Sequence, residues 1–315
     1  MHPPVHQLEY FVAVAETGQF TRAADRVHVA QPSVSAQVRQ LERALGTALF
    51  HRGPGPVTLT EAGEALLPLA RRVLADLADM ATTVAELDGL QRGHVAIGAT
   101  PSISTALVPT ILRSFHDRHP KVTIAVSEQG SQRLVEGLES GALHLALAIL
   151  PIGRSTLACT PLADEDLVVV RSRRKSRHLV RRGEREVALK ALRGIPMVMF
   201  RAGYELRTAT LRACADAGFE PTIAVEGGEL SGVLSLVAEG LGVAIVPSMV
   251  ATGPDLVRLP LRAPALTRRI GLVRPADREL SRAAGALADT VTSLVCDARW
   301  PGPVPVGLRL LRHRR

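Results

Sequence analysis

Seven apolar residues, Leu66, Leu69, Val73, Leu77, Met80, Val84 and Leu87, follow one another at intervals of three or four, twenty-one residues in six steps. A mean spacing of about 3.5 is the period of a coiled-coil seam, whereas a helix laid on a globular core carries a wider stripe that repeats near 3.6. The pattern therefore predicts a long helix over 61–90 that pairs with a second copy of the chain and separates an N-terminal unit, 1–60, from a larger C-terminal one. A wide-striped core helix is the alternative reading. Thr60 ahead of Glu61 and Glu64 is a start signal, and Pro68 predicts a kink or an early break because it lacks an N–H and crowds the turn before it.

Ahead of that helix, Leu8, Phe11, Val12 and Ala15 recur at helical spacing up to Gly18. Thr21 is a candidate N-cap for a second short helix carrying Phe20, Ala23, Ala24 and Val27. A third begins at Gln31-Pro32-Ser33, with proline in the first turn, and buries Val34, Val38, Leu41 and Leu45 before Gly46. Two short helices joined by a tight turn form a helix-turn-helix. At 100° per residue Pro32, Ala36, Arg39, Gln40 and Arg43 point away from the buried stripe, with Ser33 and Ser35 on its flanks. Gln31, Ser33 and Ser35 are placed to reach base edges or phosphates, and Arg39 and Arg43 to meet the backbone; a plain solvated face is the alternative. Two short strands around Gly53-Pro54-Gly55-Pro56 then read as a wing, with Arg52 at its base as a phosphate clamp.

Taken in order, QLEYFVAVAETGQFTRAADRVHVAQPSVSAQVRQLERALGTALFHR and VTLTEAG closely resemble the N-terminal signature of the LysR-type bacterial transcriptional regulators, most specifically over residues 6 to 70. The resemblance implies a winged helix-turn-helix with Gln31, Pro32, Ser33, Ser35 and Arg52 at double-stranded DNA; Thr21, Arg22 and Arg39 complete the candidate contacts. It also implies that the long helix pairs two subunits on an interrupted palindromic operator, and it allows a tetramer and a contact with RNA polymerase. Many members carry arginine directly after the matching serine, where this chain has Ala36, which offers only a methyl contact.

The 315 residues carry a formal net charge of +8, the balance expected of a chain with a polyanionic partner, yet residues 1–60 hold five arginines against Glu9, Glu16, Asp25 and Glu42. The DNA-binding unit is barely basic by count. Residues 171–193 by themselves hold ten Lys and Arg against Glu184 and Glu186, which reads as a solvated loop or as a second DNA-contacting or acid-binding surface. The basic tail 301–315, with Arg309, Arg312, Arg314 and Arg315, reads as disordered. Neither a signal peptide nor a membrane span is legible, so a cytoplasmic protein is expected.

Beyond Gln91-Arg92-Gly93 short β-rich runs alternate with helical ones. Strands are predicted at 95–99, 122–127, 143–150, 167–170, 196–200, 222–225 and 243–246, and helices at 107–116, 132–138, 208–217 and 230–239. The fold class is thus α+β and multidomain: the winged unit, the linker helix, and a two-lobed α/β effector domain over 93–300, with lobe I at 93–164 and 267–296 and lobe II at 165–266. This half resembles the effector domain of the same family, itself built like a periplasmic solute-binding protein. LVAEGLGVAIVP, residues 236–247, is its most recognisable stretch. Thr100 and Ser102 at the end of one strand, and Ser131 at the end of the next, set hydroxyls and unpaired N–H groups where an anion is stabilised, or serve only as helix caps. Family positions matching these three, and Phe200, Arg201 and Gly227, line the effector cleft, so an anionic small-molecule effector is expected.

Cys159, Cys214 and Cys296 form no ligand spacing, and no metal or cofactor is expected. Peroxide-sensing members of the family use two cysteines in the second lobe; matching Leu206-Arg207 and Ala217-Gly218 puts Cys214 at one position and Glu205 at the other, so no switch disulfide is expected. The competing function is an enzyme acting through the α/β half. No phosphate loop, nucleophile elbow or metalloprotease motif supports it, and no catalytic residue is assigned.

Overall fold

A computed structural model describes residues 3–51, 53, 56–85, 93–174, 185–263, 265–296 and 299–311. Arg52, Leu87, Gln91 and Arg92, much of the basic segment and the last four residues, with Arg312, Arg314 and Arg315, lie outside it.

The N-terminal unit is α1 (Val5–Thr17), α2 (Phe20–Arg26) and α3 (Gln31–Leu45), closed by the antiparallel pair β1 (Phe50–His51) and β2 (Thr58–Leu59). Leu8, Phe11 and Val14 meet Ala23, Ala24, Val34, Val38 and Leu41 in one buried cluster, where the alanines allow the short helices to approach closely. Gly18 ends α1 at φ 65°, a conformation that a side chain disfavours, and turns the chain into α2. The cap of α2 is Gln19, with no side-chain bond, rather than Thr21: the helix starts at Phe20 because that ring must pack on Phe50. The Glu42 carboxylate accepts the Leu49 N–H at 2.9 Å and so ties the wing to α3.

α4 (Glu61–Ala85) opens on Thr60, whose Oγ1 accepts the Gly63 N–H at 3.1 Å. It runs through Pro68 without the expected break, because the helix is held from the inside: Leu66, Leu67, Ala70 and Leu74 pack on the winged core while Pro68 stays exposed. Leu66 thereby leaves the seam. Leu69, Val73, Leu77 and Met80 are 59%, 41%, 37% and 64% exposed, an uncovered apolar row in the single chain.

Lobe I is a parallel core of β3 (Gly93–Ala99), β4 (Val122–Glu128) and β5 (Leu145–Leu150), with α5 (Pro101–Ala106), α6 (Val108–His116) and α7 (Ser131–Glu139) as connections. Two long strands then cross between lobes. β6 (Leu157–Ser172) lies in both; its partner β11 (Thr267–Pro275) brings the chain back to lobe I. Lobe II holds β7 (Pro196–Met199), α8 (Glu205–Asp216), β8 (Thr222–Glu226), α9 (Leu230–Ala238), β9 (Ala244–Pro247) and β10 (Leu256–Pro260). β11 pairs with β5, β5 with β3 and β3 with β4, while β10, β9 and β12 (Leu308–Leu310) join at β6 to complete an eight-stranded sheet. After β11, α10 (Arg282–Val295) covers lobe I.

Three elements depart from the expected layout. The strand expected at 167–170 is only the far end of β6, because Asp164, Glu165 and Asp166 interrupt the apolar pattern and find partners only through tertiary contacts with Arg269, Arg268 and Arg309. α10 lies outside the expected helices although its signals are present, with Ser281 capping it and Ala284, Leu287, Val291 and Leu294 on its buried face. The tail is not disordered through residue 311: β12 pairs with β6.

Gly63 sits where a Cβ would press on the Leu49 carbonyl oxygen and the Leu59 side chain. Because the first of these is backbone, Gly63→Ala is expected to destabilise the winged unit by about 1–3 kcal/mol, read as a lowered urea midpoint by circular dichroism.

Candidate functional site

The first candidate is the outer face of α3. Gln31, Pro32 and Ser33 are exposed in its first turn, Ser35 is half-buried, and Ala36, Arg39 and Arg43 continue the exposed row; Thr21 and Arg22 are exposed at the start of α2. No side chain caps α3; Pro32 has no N–H and Ser33 donates its own to the Ala30 carbonyl at 2.9 Å, so what this end offers is the positive pole of the helix dipole beside the exposed Gln31 and Ser33. The local charge also differs from the count. Glu16 is held by Arg26 at 2.6 Å and Arg71 at 2.9 Å, and Glu42 by the wing, so two of the unit's four acids are spent inside it while Arg22, Arg39 and Arg43 stay on the outer face. The face is more basic than a net of +1 suggests. Arg39 is steadied along the helix by its Nε bond to the Ser35 carbonyl at 3.2 Å.

The second candidate is the cleft at the carboxyl ends of β3 and β4. Parallel pairing sets Ala99 opposite Glu128, so Thr100 and the loop to Ser131 emerge side by side. Thr100 and Ser131 are 5% and 7% exposed, and neither hydroxyl oxygen has a hydrogen-bond partner among the described residues. Ser102 is engaged: its Oγ accepts from Arg268 Nη2 at 2.6 Å. Arg268 in turn pairs at 2.7 Å with Glu165, which is fully buried and accepts the Met249 N–H from lobe II at 3.1 Å. On the lobe II side Phe200 is buried and stacks on Tyr204, 4.8 Å between centroids and 5° between planes. Arg201 lies over the Tyr204 ring and bonds Glu229 at 2.7 Å; Gly227 donates its N–H to Met199 at 3.0 Å.

Burial, with Glu229 and Glu128 adding negative charge, pushes the Tyr204 hydroxyl up to about 12 against the opposing pull of Arg268 and Arg201. Glu128 and Arg268 belong to lobe I, so this ring is where lobe II feels the charges of lobe I. Glu165, Arg268, Tyr204, Glu128 and Glu229 lie outside the expected site residues; a charge inside the apolar runs of β6 and β11 is a signal for Glu165 and Arg268, and no local pattern marks the other three. Arg201, Arg207 and Arg268 are each matched to a carboxylate, which leaves hydroxyls and backbone N–H groups to read a ligand.

In the described part of the basic segment, three exposed arginines also bond to the body of lobe II. Arg173 donates to the Pro254 and Leu256 carbonyls, Arg174 pairs with Asp255, and Arg193 donates to the Gly218 carbonyl beside the Phe219 ring. Cys214 is buried, and burial pushes its thiol up, while Cys159 is exposed.

Two family matches account for both halves. Residues 5–64 match the bacterial regulatory helix-turn-helix protein, lysR family, and residues 88–295 match the LysR substrate binding domain. The chain belongs to the LysR family of DNA-binding transcriptional regulators. It is 34% identical over 307 residues, 93% of this chain and 96% of the relative, to a probable hydrogen peroxide-inducible genes activator of Streptomyces viridosporus. Among solved structures, a full-length OxyR variant from Pseudomonas aeruginosa superposes with a TM-score of 0.70 at 27% identity, covering 93% of this chain and 95% of that one. Full-length CbnR in complex with its target DNA superposes at 0.67 and 26%, covering 91% and 98%. The matches support the α+β architecture of a helix-turn-helix unit followed by a two-lobed effector-binding domain.

Arg268→Ala leaves Glu165 buried without its partner and is expected to cost about 3–5 kcal/mol, whereas replacing both residues with Met costs far less; chemical denaturation of the two variants compares them. The raised Tyr204 pKa favours the neutral ring in the folded state. Its contribution to stability is complete below pH 10 and is lost as pH rises from 10 towards 12, and Tyr204→Phe should abolish that alkaline decline in unfolding curves.

Proposed function

We propose that this LysR-family regulator, paired through the exposed row of α4 as a homodimer or homotetramer, binds an interrupted palindrome with Gln31, Ser33 and Ser35 at base edges. Thr21, Arg22, Arg39 and Arg52 position it on the phosphates, with the Pro32 ring in apolar contact beside them. A dimer presents two α3 helices to two half-sites one or more helical turns apart. The regulator is non-catalytic and works in the cytoplasm, where it meets DNA. The CbnR complex, from a chain of the same family and overall fold, supports the DNA-facing assignment.

The effector is a small anion received between the lobes by Thr100 and Ser131, with Ser102, Phe200, Arg201 and Gly227 around it. The observation that carries this reading is the pair of buried hydroxyls without partners at adjacent strand ends, since buried polar atoms are ordinarily satisfied. A ligand oxygen supplies the missing bonds. Binding favours one closure of the lobes over another, and the geometry of the paired winged units follows as a population shift. Peroxide is a poor fit for the signal although relatives are peroxide-inducible gene activators, because Cys214 is buried and Glu205 stands nine residues before it.

Footprinting on the DNA upstream of its own gene should reveal a roughly two-fold symmetric protected site, and no protected site would remove the reading. Arg39→Ala should weaken binding across sequences and lower the salt slope by about 1, while Gln31→Ala should relax base preference at one position per half-site. Titration of carboxylate metabolites should alter the footprint, with Thr100→Val and Ser131→Ala each weakening the response about tenfold. Hydrogen peroxide should leave the footprint unchanged in wild type and in Cys214→Ser.

A further inference from the structure

We propose that the C-terminal strand is a strap that sets the angle between the two lobes and positions the charged floor of the cleft. β6 serves both lobes, pairing with β11 over Leu157 to Asp166 and with β10 and β9 beyond Leu167. A strand has two edges. One is taken along its whole length by the continuous run of β10 and β11. On the other, β9 covers Leu167 to Val170, and in lobe I β12 covers the residues just before the crossover: Leu308 lies opposite Glu165, Arg309 opposite Asp164 and Leu310 opposite Ala163.

The two short strands meet end to end. Ser248, which follows β9, donates its hydroxyl to the Val306 carbonyl at 2.8 Å, and a Cβ on Gly307 would collide with the Ser248 side chain. The strap is fastened on both sides of that meeting point. Asp166 donates its N–H to the Gly307 carbonyl at 3.0 Å, Leu311 donates to Leu162 at 2.8 Å, and Arg309 Nη1 reaches both Asp166 carboxylate oxygens at 2.7 Å. Leu308 is buried in the core shared by both lobes.

Swinging lobe II against lobe I requires β6 to bend near Asp166 and Leu167. With β12 in place, that bend must part Ser248 from Val306 or peel β12 from its edge. The same strand is wired to the cleft. Glu165, opposite Leu308, is the residue that accepts the Met249 N–H and holds Arg268, which donates to Ser102. Arg309 and Gly307 are thus positioning residues: they touch no ligand, and they hold the strand from which the cleft's ion pair projects. Only the last step, from lobe angle to DNA, rests on the proposed function above.

The test is hydrogen exchange on the full-length protein in Gly307→Val, which adds the colliding side chain at a φ of 76°, in Arg309→Ala, and in the conservative Arg309→Lys. Peptides covering residues 160–168 and 246–251 should exchange about tenfold faster in the first two variants and near the wild-type rate in the third, while peptides of α6 and α10 keep their protection. Unchanged exchange at the crossover, or equal acceleration in α10, which would mark general destabilisation, overturns the strap. Trp300, the single tryptophan, packs on the shared core just ahead of the strap, and its emission should shift with the same variants. On DNA bound by wild type, Gly307→Val should change the footprint without any metabolite; an unchanged footprint with accelerated exchange overturns the coupling to DNA. A wild type that protects no DNA refutes the regulator reading and leaves the strap intact.

Discussion

A carboxyl group with no solvent exposure needs hydrogen-bond partners from the fold, and Glu165 has two, the Arg268 guanidinium and the Met249 amide. Those bonds connect β6 to β11 and lobe I to lobe II, and Arg268 extends them to Ser102 at the start of α5. The elements that shape the cleft therefore converge on one ion pair. Buried pairs of this kind add little net stability over an apolar replacement of equal size, since desolvation offsets most of the attraction. What the pair contributes is geometry: either partner left alone would be a buried charge, so the crossing strands have one acceptable register.

The linker helix plays a comparable part between the winged unit and lobe I. Arg71 reaches Glu16 of α1, while Arg72 and Asp76 meet Asp277 and Arg278 in a crossed pair of ion contacts at 2.8 and 3.0 Å. Arg278 also donates to the Leu138 carbonyl, the last buried leucine of α7. Half-exposed pairs are worth no more than about 1 kcal/mol each, so they orient the helix more than they stabilise it. Leu69, Val73, Leu77 and Met80 of the same helix keep more than a third of their surface exposed.

The winged unit was legible almost residue by residue, because short helices whose buried stripes use alanine and valine leave little freedom in how they pack, and because the stripe on α3 also defines the outward row. The parallel strands of lobe I were legible for a similar reason: strands buried on both faces read as apolar runs. β6 was legible only in part. Its middle carries Asp164, Glu165 and Asp166, which read as a loop until their arginines, a hundred residues and more away in sequence, are brought to them. The cleft residues at strand ends, Thr100 and Ser131, followed from local hydroxyl placement, whereas Tyr204 and Arg268 matter only through what faces them.

By itself the sequence determined the helical trio, the wing, the apolar row on the linker helix and the alternation of strands and helices behind it, all local periodicities that a chain cannot hide. Tertiary structure alone decided how charge is used. It engaged Glu16 and Glu42 within and beside the winged unit, set Arg173 and Arg193 of the basic segment on backbone carbonyls, and took Arg309 out of a tail read as disordered to lock β12 onto the crossing strand. The physical reason is range. Periodicity is a property of neighbours along the chain, while the effect of a charge depends on the partner and the solvent that the finished fold places beside it.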